Sequence, residues 1–258
     1  FNPTILTNSN HCIMKKIMTM LAMTAAILAV SCNKDPKNNG KDPKEEEEEE
    51  YVAPIIVDGD TSDWAKLDAS KVQSCSLKSA DTFAYPEIKS AKVYADELYV
   101  YVYMEFNKDV LEPTADSHFA LYINGDNNTA TGGYAGQWDQ GETPCLDVLV
   151  MGTYFTPDDG YIKNLNCEVY HWNGAPTDGW AWEDVEVSDF AEGVCTSKGM
   201  EFAFTRDLYP AGNWEDEFTM GFQLQTNGWD ATGVLPNDDP TEENQSGYGK
   251  LLKVIVNK

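Results

Sequence analysis

The sequence predicts an all-β protein: a single antiparallel β-sandwich, of jelly-roll or immunoglobulin-like topology, behind a disordered tether. Three observations carry this. From Tyr51 onward about ten short β-rich runs alternate with turn clusters such as Pro157-Asp158-Asp159-Gly160. No stretch after Tyr51 sustains a 3.6-residue apolar period over three turns. Leu98 to Phe106 (LYVYVYMEF) is apolar on both faces, as a strand central to a sheet would be.

Residues 1–13 lack an initiator methionine and lead into Met14-Lys15-Lys16, so they read as translated upstream sequence. Residues 14–31 read as a secretory signal peptide. A basic head is followed by an apolar run from Ile17 to Val30, shorter than the ~20 residues of a membrane-spanning helix, and by the small Ser31. The segment Leu28-Ala29-Val30-Ser31-Cys32 resembles the bacterial lipobox, with Ala29 where that pattern more often has leucine. The resemblance implies lipidation of Cys32 and an anchor in the bacterial outer membrane, on the cell surface or on the periplasmic face. An ordinary signal peptide followed by a coincidental cysteine is the competing reading.

Residues 32–50 carry no apolar residue larger than proline after the cysteine and end in six consecutive glutamates. Such a segment cannot offset its ordering entropy and reads as an acidic, disordered linker. Residues 51–258 form the predicted sandwich. Its expected strands are Val52 to Val57, a hairpin of Ile88 to Ala95 with Leu98 to Phe106, His118 to Ile123, Leu146 to Met151, Cys167 to Trp172, Trp182 to Val187, Gly199 to Phe204, Phe218 to Thr226 and Leu251 to Val256. In the first hairpin strand Ala91, Val93 and Ala95 alternate with Lys92 and Tyr94, which assigns the apolar set to the core face.

The net charge is -25, and becomes -27 when Lys15 and Lys16 leave with the signal. Such a surface repels nucleic acid and anionic headgroups. Arg206 is the sole arginine, so a multi-guanidinium anion clamp is excluded. Cys75, Cys145, Cys167 and Cys195 permit two disulfides with undetermined pairing, or four small buried hydrophobes. With no CxxC pair and with His118 and His171 alone after Cys32, a Cys/His zinc site lacks material.

Three segments together resemble family 9 carbohydrate-binding modules and related DOMON-like sandwiches: Ile56-Val57-Asp58-Gly59 with Asp63-Trp64, the hairpin Lys92 to Phe106, and Leu121 to Gly132 (LYINGDNNTATG). The resemblance spans most of residues 52–256 and implies a sandwich fold and sugar binding. Asn124 stands where the loop of those proteins begins with aspartate. From the residues themselves, Gly59 suits a tight turn and Trp64 a cover at one end of the sandwich.

The aromatic residues Tyr134, Trp138, Trp172, Trp180, Trp182 and Trp229 lie in or beside Gly/Asn/Asp-rich segments, with Gln137, Asn173, Asp178, Asp139 and Asn227 nearby. Flat C–H faces of sugars stack on such rings while hydroxyls bond to amides and carboxylates. The competing reading is that these rings plug the sandwich. Oxygen-bearing side chains at Asn124, Asp126 and Asn128, with Asp139 and Asp147, suit a structural calcium ion, or else an Asx-rich turn that satisfies its own backbone. No Gly-x-Ser-x-Gly elbow, His-Glu-x-x-His helix or phosphate-cradling glycine loop is present.

The resulting expectation is a lipid-anchored, extracytoplasmic, non-catalytic carbohydrate-binding protein that captures glycan by aromatic stacking. It would touch the membrane through its lipid alone, beside outer-membrane uptake partners. The alternative is a protein-interaction or structural cell-surface module. A third reading, haem binding as in some DOMON relatives, would draw on Met104, Met151, His118 and His171, for which core packing is the competing role.

Overall fold

The computed structural model describes residues 51–112, 116–128, 130–133, 138, 145–184, 191–206 and 214–258. Cys32, the signal peptide and the acidic linker lie outside them. Thirteen strands are described: β1 (Gln73–Ser76), β2 (Ile88–Ala95), β3 (Tyr99–Phe106), β4 (Ser117–Asn124), β5 (Val148–Tyr154), β6 (Lys163–Leu165), β7 (Glu168–Trp172), β8 (Trp182–Asp184), β9 (Ala191–Cys195), β10 (Gly199–Thr205), β11 (Glu217–Gln225), β12 (Ala231–Leu235) and β13 (Leu252–Ile255).

They build two antiparallel sheets packed face to face. The six-stranded sheet runs β1-β2-β3-β10-β9-β6, and the seven-stranded sheet runs β12-β11-β4-β5-β7-β8. β13 shares an edge with β12: it pairs with Glu217–Met220 of β11, while β12 pairs with the far half of the same strand. The expected all-β sandwich is the fold observed.

Side-chain alternation explains the layering. Ala91, Val93 and Ala95 of β2, Phe119, Leu121 and Ile123 of β4, and Phe218, Met220, Phe222 and Leu224 of β11 all enter the core between the sheets. β3 is central, as its two apolar faces predict. Val100, Val102 and Met104 point into this core, while Tyr101 joins a second cluster with Ile55, Val57 and Trp64 on the sheet's outer face.

Val52 to Val57 is therefore a strap across the six-stranded sheet rather than a strand. Glu201, 1% exposed on that face, fastens it. Trp64 Nε1 donates to Glu201 Oε1 at 2.7 Å, and the Gly59 amide donates to Oε2 at 3.1 Å. Trp64 thus covers a face of the sandwich, not an end. Gly59 takes the turn at φ +80°, a region a Cβ disfavours.

The seven-stranded sheet is covered on its outer face too. Ala120 and Tyr122 of β4 and Leu149 and Met151 of β5 meet Trp138, Trp172, Trp182, Phe83, Tyr248 and Leu251 in a third cluster. Strands β1, β6, β9 and β12 escaped the sequence reading because they are short or lack clear alternation; AEGVC in β9 is buried along three successive residues. Of Trp182 to Val187, the described strand is Trp182–Asp184, and residues 185–187 lie outside the described set.

The four cysteines are thiols, not disulfides. Burial pushes the thiols of Cys75, Cys167 and Cys195 up to about 12, which makes them inert packing groups at neutral pH.

Candidate functional site: an exposed tryptophan held on a histidine

The structure divides the aromatic set. Trp138 is 1% exposed, with its ring 5.4 Å from Tyr122 and 5.2 Å from Tyr248. It presses against Gly221 of β11, where an added Cβ would come within 2.9 Å of the indole, so glycine is required for this contact. Trp172 and Trp182 are both buried and meet edge to face at 5.1 Å. The rings of these three residues are occupied by protein neighbours, so the stacking role expected of them is replaced by packing. Tyr134, Gln137 and Asp139 lie outside the described residues.

Asn173 and Asp178 serve their own loop between β7 and β8. The Asn173 side chain donates to Glu183, and Asp178 Oδ2 accepts from the Ala175 amide at 2.7 Å. Trp172 Nε1 donates to the Gly174 carbonyl at 3.0 Å, which ties the loop to its strand. Trp180, 61% exposed, lies in this loop two residues before β8, beside the Asn173–Ala181 bond that closes its base.

Trp229, 53% exposed, stands at the other end of the sheet. It lies in the β11–β12 turn, beside His118 at the start of β4, whereas Trp180 lies beyond the end of β7 that faces Asp147. The length of β4 separates the two ends, roughly 20 Å at ~3.3 Å per residue. Trp180 and Trp229 cannot form one platform.

The Trp229 site is built by its turn. Thr226 accepts at its carbonyl from the Trp229 amide (3.1 Å), and its hydroxyl accepts from the amides of Gly228 (3.1 Å) and Asp230 (3.2 Å). Gln225, across from His118 in the ladder, donates its side-chain amide to the Trp229 carbonyl at 3.4 Å. These bonds hold Trp229 at φ +70°, a left-handed conformation rare for a residue with a Cβ.

In that conformation the indole lies flat on the His118 imidazole, with centroids 3.9 Å apart and planes 18° from parallel. His118 Nδ1 lies 3.1 Å from the Thr226 carbonyl, an acceptor, so Nδ1 carries the proton and the imidazole is fixed in tautomer and tilt. One indole face is backed by His118. Exposed Asn227, Asp230 and Thr153, the last directly across the ladder from His118, supply amide, carboxylate and hydroxyl groups nearby.

Sequence reasoning selected Trp229 and Asn227 but missed His118 as its support. The signal was present in the T-N-G-W-D turn and in the antiparallel placement of the start of β4 against the end of β11, which only the sheet order reveals. Met104 sits in the inter-sheet core and Met151 in the outer cluster; His171 packs beside Glu183, with Nε2 3.5 Å from its carboxylate.

The oxygen-bearing loop divides as well. Asn124 and Asp147 are buried side by side with Asp126 beside them, whereas Asn128 spends its side chain on the Ala130 amide at 3.0 Å. Burial first, and then the neighbouring Asp126 charge, push the Asp147 carboxyl up to about 7. Neither a scan against protein-family models nor a search of the curated proteins finds a match for this chain.

Proposed function

We propose that this protein is a lipid-anchored, extracytoplasmic carbohydrate-binding protein that captures glycan without cleaving it, with Trp229 as its stacking surface. The observation that carries the reading is the strained, exposed indole clamped flat on His118. Backbone strain persists where surrounding bonds over-determine it and is concentrated at binding sites. A rigid ring with one supported face costs little ordering entropy when a sugar settles on the other. The acidic and amide side chains of the turn then orient hydroxyls.

The lipobox-like segment ending at Cys32 and the acidic run behind it support an outer-membrane anchor on a leash. The two-sheet fold suits the likeness of the sequence to family 9 carbohydrate-binding modules and DOMON-like domains. Glycan capture of this kind fits a position beside uptake partners in the same membrane.

A second reading, a protein-interaction module, is favoured by the exposed Phe155, Tyr161 and Ile162 in the β5–β6 connection, a patch of apolar side chains on one short segment. A glycan-array screen of the purified protein beside its Trp229→Ala variant separates the two. Glycan binding lost in the variant supports capture at Trp229, and failure of both proteins on every glycan favours the second reading.

A further inference from the structure

We propose that Asn227-Gly228 is a self-modification site: ammonia leaves Asn227 through a cyclic imide, isoaspartate takes its place, and the altered turn lets Trp229 off His118. The chemistry comes from the residue types. In an Asn-Gly step the glycine nitrogen adjoins the asparagine side-chain carbonyl carbon, and a glycine without a Cβ leaves its approach open. Four such steps occur, at Asn39, Asn124, Asn173 and Asn227, and the first lies outside the described residues.

The structure separates the other three. Asn124 is 3% exposed, and the Gly125 amide is held by Asp147, donating to Oδ2 at 3.0 Å. Asn173 donates its side-chain amide to Glu183 and its backbone amide to the Ala181 carbonyl at 2.9 Å. A Cβ at Gly174 would come within 2.4 Å of the Ala181 Cβ, so that glycine is pinned against the other side of its loop. Asn227 and Gly228 are both exposed, and the Asn227 side chain makes no hydrogen bond among the described residues. A Cβ at Gly228 would meet nothing closer than Thr226 Oγ1 at 3.5 Å, so the step has room to turn.

Two groups stand ready for the departing proton. Thr226 Oγ1 accepts the Gly228 N–H at 3.1 Å, and Asp230 Oδ2 lies 3.8 Å from the position of a Gly228 Cβ, within reach of the amide through one water. The Gly228 nitrogen gives up its proton and bonds to Asn227 Cγ. The Cγ–Nδ2 bond breaks, and Nδ2 leaves with a proton as ammonia. Water then opens the imide. Opening at Cγ gives aspartate on a normal backbone. Opening at the main-chain carbonyl gives isoaspartate, whose backbone runs through Cβ and Cγ and is one carbon longer.

The turn amplifies that one carbon. Residues 226–230 are closed by the Thr226 amide on the Asp230 carbonyl at 2.8 Å and the Trp229 amide on the Thr226 carbonyl at 3.1 Å. The same Thr226 carbonyl lies 3.1 Å from His118 Nδ1. An extra backbone atom inside this ring breaks its spacing. Trp229, held at φ +70° by these bonds, then relaxes out of the left-handed region and its indole leaves the imidazole. The consequence for glycan capture, a site that is lost with age, rests on the reading of Trp229 as the stacking surface.

The test is ageing of the purified protein and of its Gly228→Ala variant at pH 8, followed by peptide mass mapping and isoaspartyl methyltransferase labelling. Neither readout uses a glycan, so failure here is distinct from failure of the glycan reading. The Asn227 peptide should gain one dalton about ten-fold or more faster than the Asn124 and Asn173 peptides, whose amides must first give up their bonds. Gly228→Ala, whose methyl fits the space but hinders the attacking nitrogen, should stay folded and convert about ten-fold or more slowly. The His118 ring-proton NMR signals, shifted upfield by the stacked indole, should return toward ordinary values at the rate that isoaspartate appears. Conversion at Asn227 no faster than at Asn173, equal conversion in Gly228→Ala, or unchanged His118 signals in the isoaspartate form overturns the proposal.

Discussion

The Trp229 indole rests on the His118 imidazole at a centroid distance of 3.9 Å, and the turn that puts it there holds Trp229 in a left-handed backbone conformation. A residue with a Cβ pays about 1–2 kcal/mol for that conformation. The stack returns about 0.5–1.5 kcal/mol. Trp229→Gly removes both terms, so its melting temperature should stay within roughly 3 °C of the unaltered protein while glycan binding is lost. A large destabilisation in thermal melting would mean that Trp229 is chiefly a structural residue.

Trp138 makes the opposite case. Its ring is enclosed by Tyr122, Tyr248 and Gly221. Trp138→Ala should cost about 3–5 kcal/mol in chemical denaturation, the range for a large aromatic lost from a core. Protein that remains folded should keep its full affinity for glycan. Reduced affinity without reduced stability would return Trp138 to the binding surface.

The strap on the six-stranded sheet depends on Glu201. Trp64→Phe removes the donor to a buried carboxylate and should destabilise by about 1–3 kcal/mol. Glu201→Gln puts an amide donor where either Trp64 Nε1 or the Gly59 N–H already donates, with a similar loss. Since both changes break one contact, a double-mutant cycle should show their costs to be strongly non-additive. Additive costs would place the strap's anchorage elsewhere.

Asp147 sets a pH dependence. Its folded-state value of about 7 lies above the ordinary 3.8, chiefly because of burial and then because of Asp126. Between those values the folded chain binds more protons than the unfolded one, so without metal its stability is greatest below the unfolded value and falls as pH rises toward 7. Asp147→Asn should flatten this part of the profile. Melting curves across pH 4 to 8 in chelator, with and without the substitution, would show a common slope if Asp147 were not its source.

Much of the fold was legible because alternation is a local signal. Ala91, Val93 and Ala95 announce a core face within eight residues, and the doubly apolar β3 announces its central place. Four strands were missed where that signal fails, as in β9, whose Gly193 to Cys195 are buried without interruption. The strap is the instructive error. Val52 to Val57 has the composition of a strand, yet it forms no ladder with the sheet: Ile55 and Val57 are buried against its outer face as a cover, while Val52 and Ile56 face solvent.

The site was less legible because exposure is a tertiary property. Trp138, Trp172, Trp180, Trp182 and Trp229 lie in similar sequence surroundings and are told apart by the sheet order. Trp138 is buried because Gly221, eighty-three positions away, leaves space for it. Trp229 is exposed and oriented because β4 brings His118 beneath it. The pairing of Asn124 with Asp147 likewise needs the β4–β5 register, whereas the expected set followed spacing along one loop.

The most direct test of glycan capture at Trp229 is quantitative binding of the unaltered protein, Trp229→Ala and Trp180→Ala to glycans drawn from plant, host and microbial sets. Saturable binding to at least one class is expected, weakened about ten-fold or more by Trp229→Ala through loss of the stacking contact. Trp180→Ala, at the other end of the sheet, should bind as the unaltered protein does. Equal binding by the unaltered protein and Trp229→Ala, or no binding to any glycan, would contradict it.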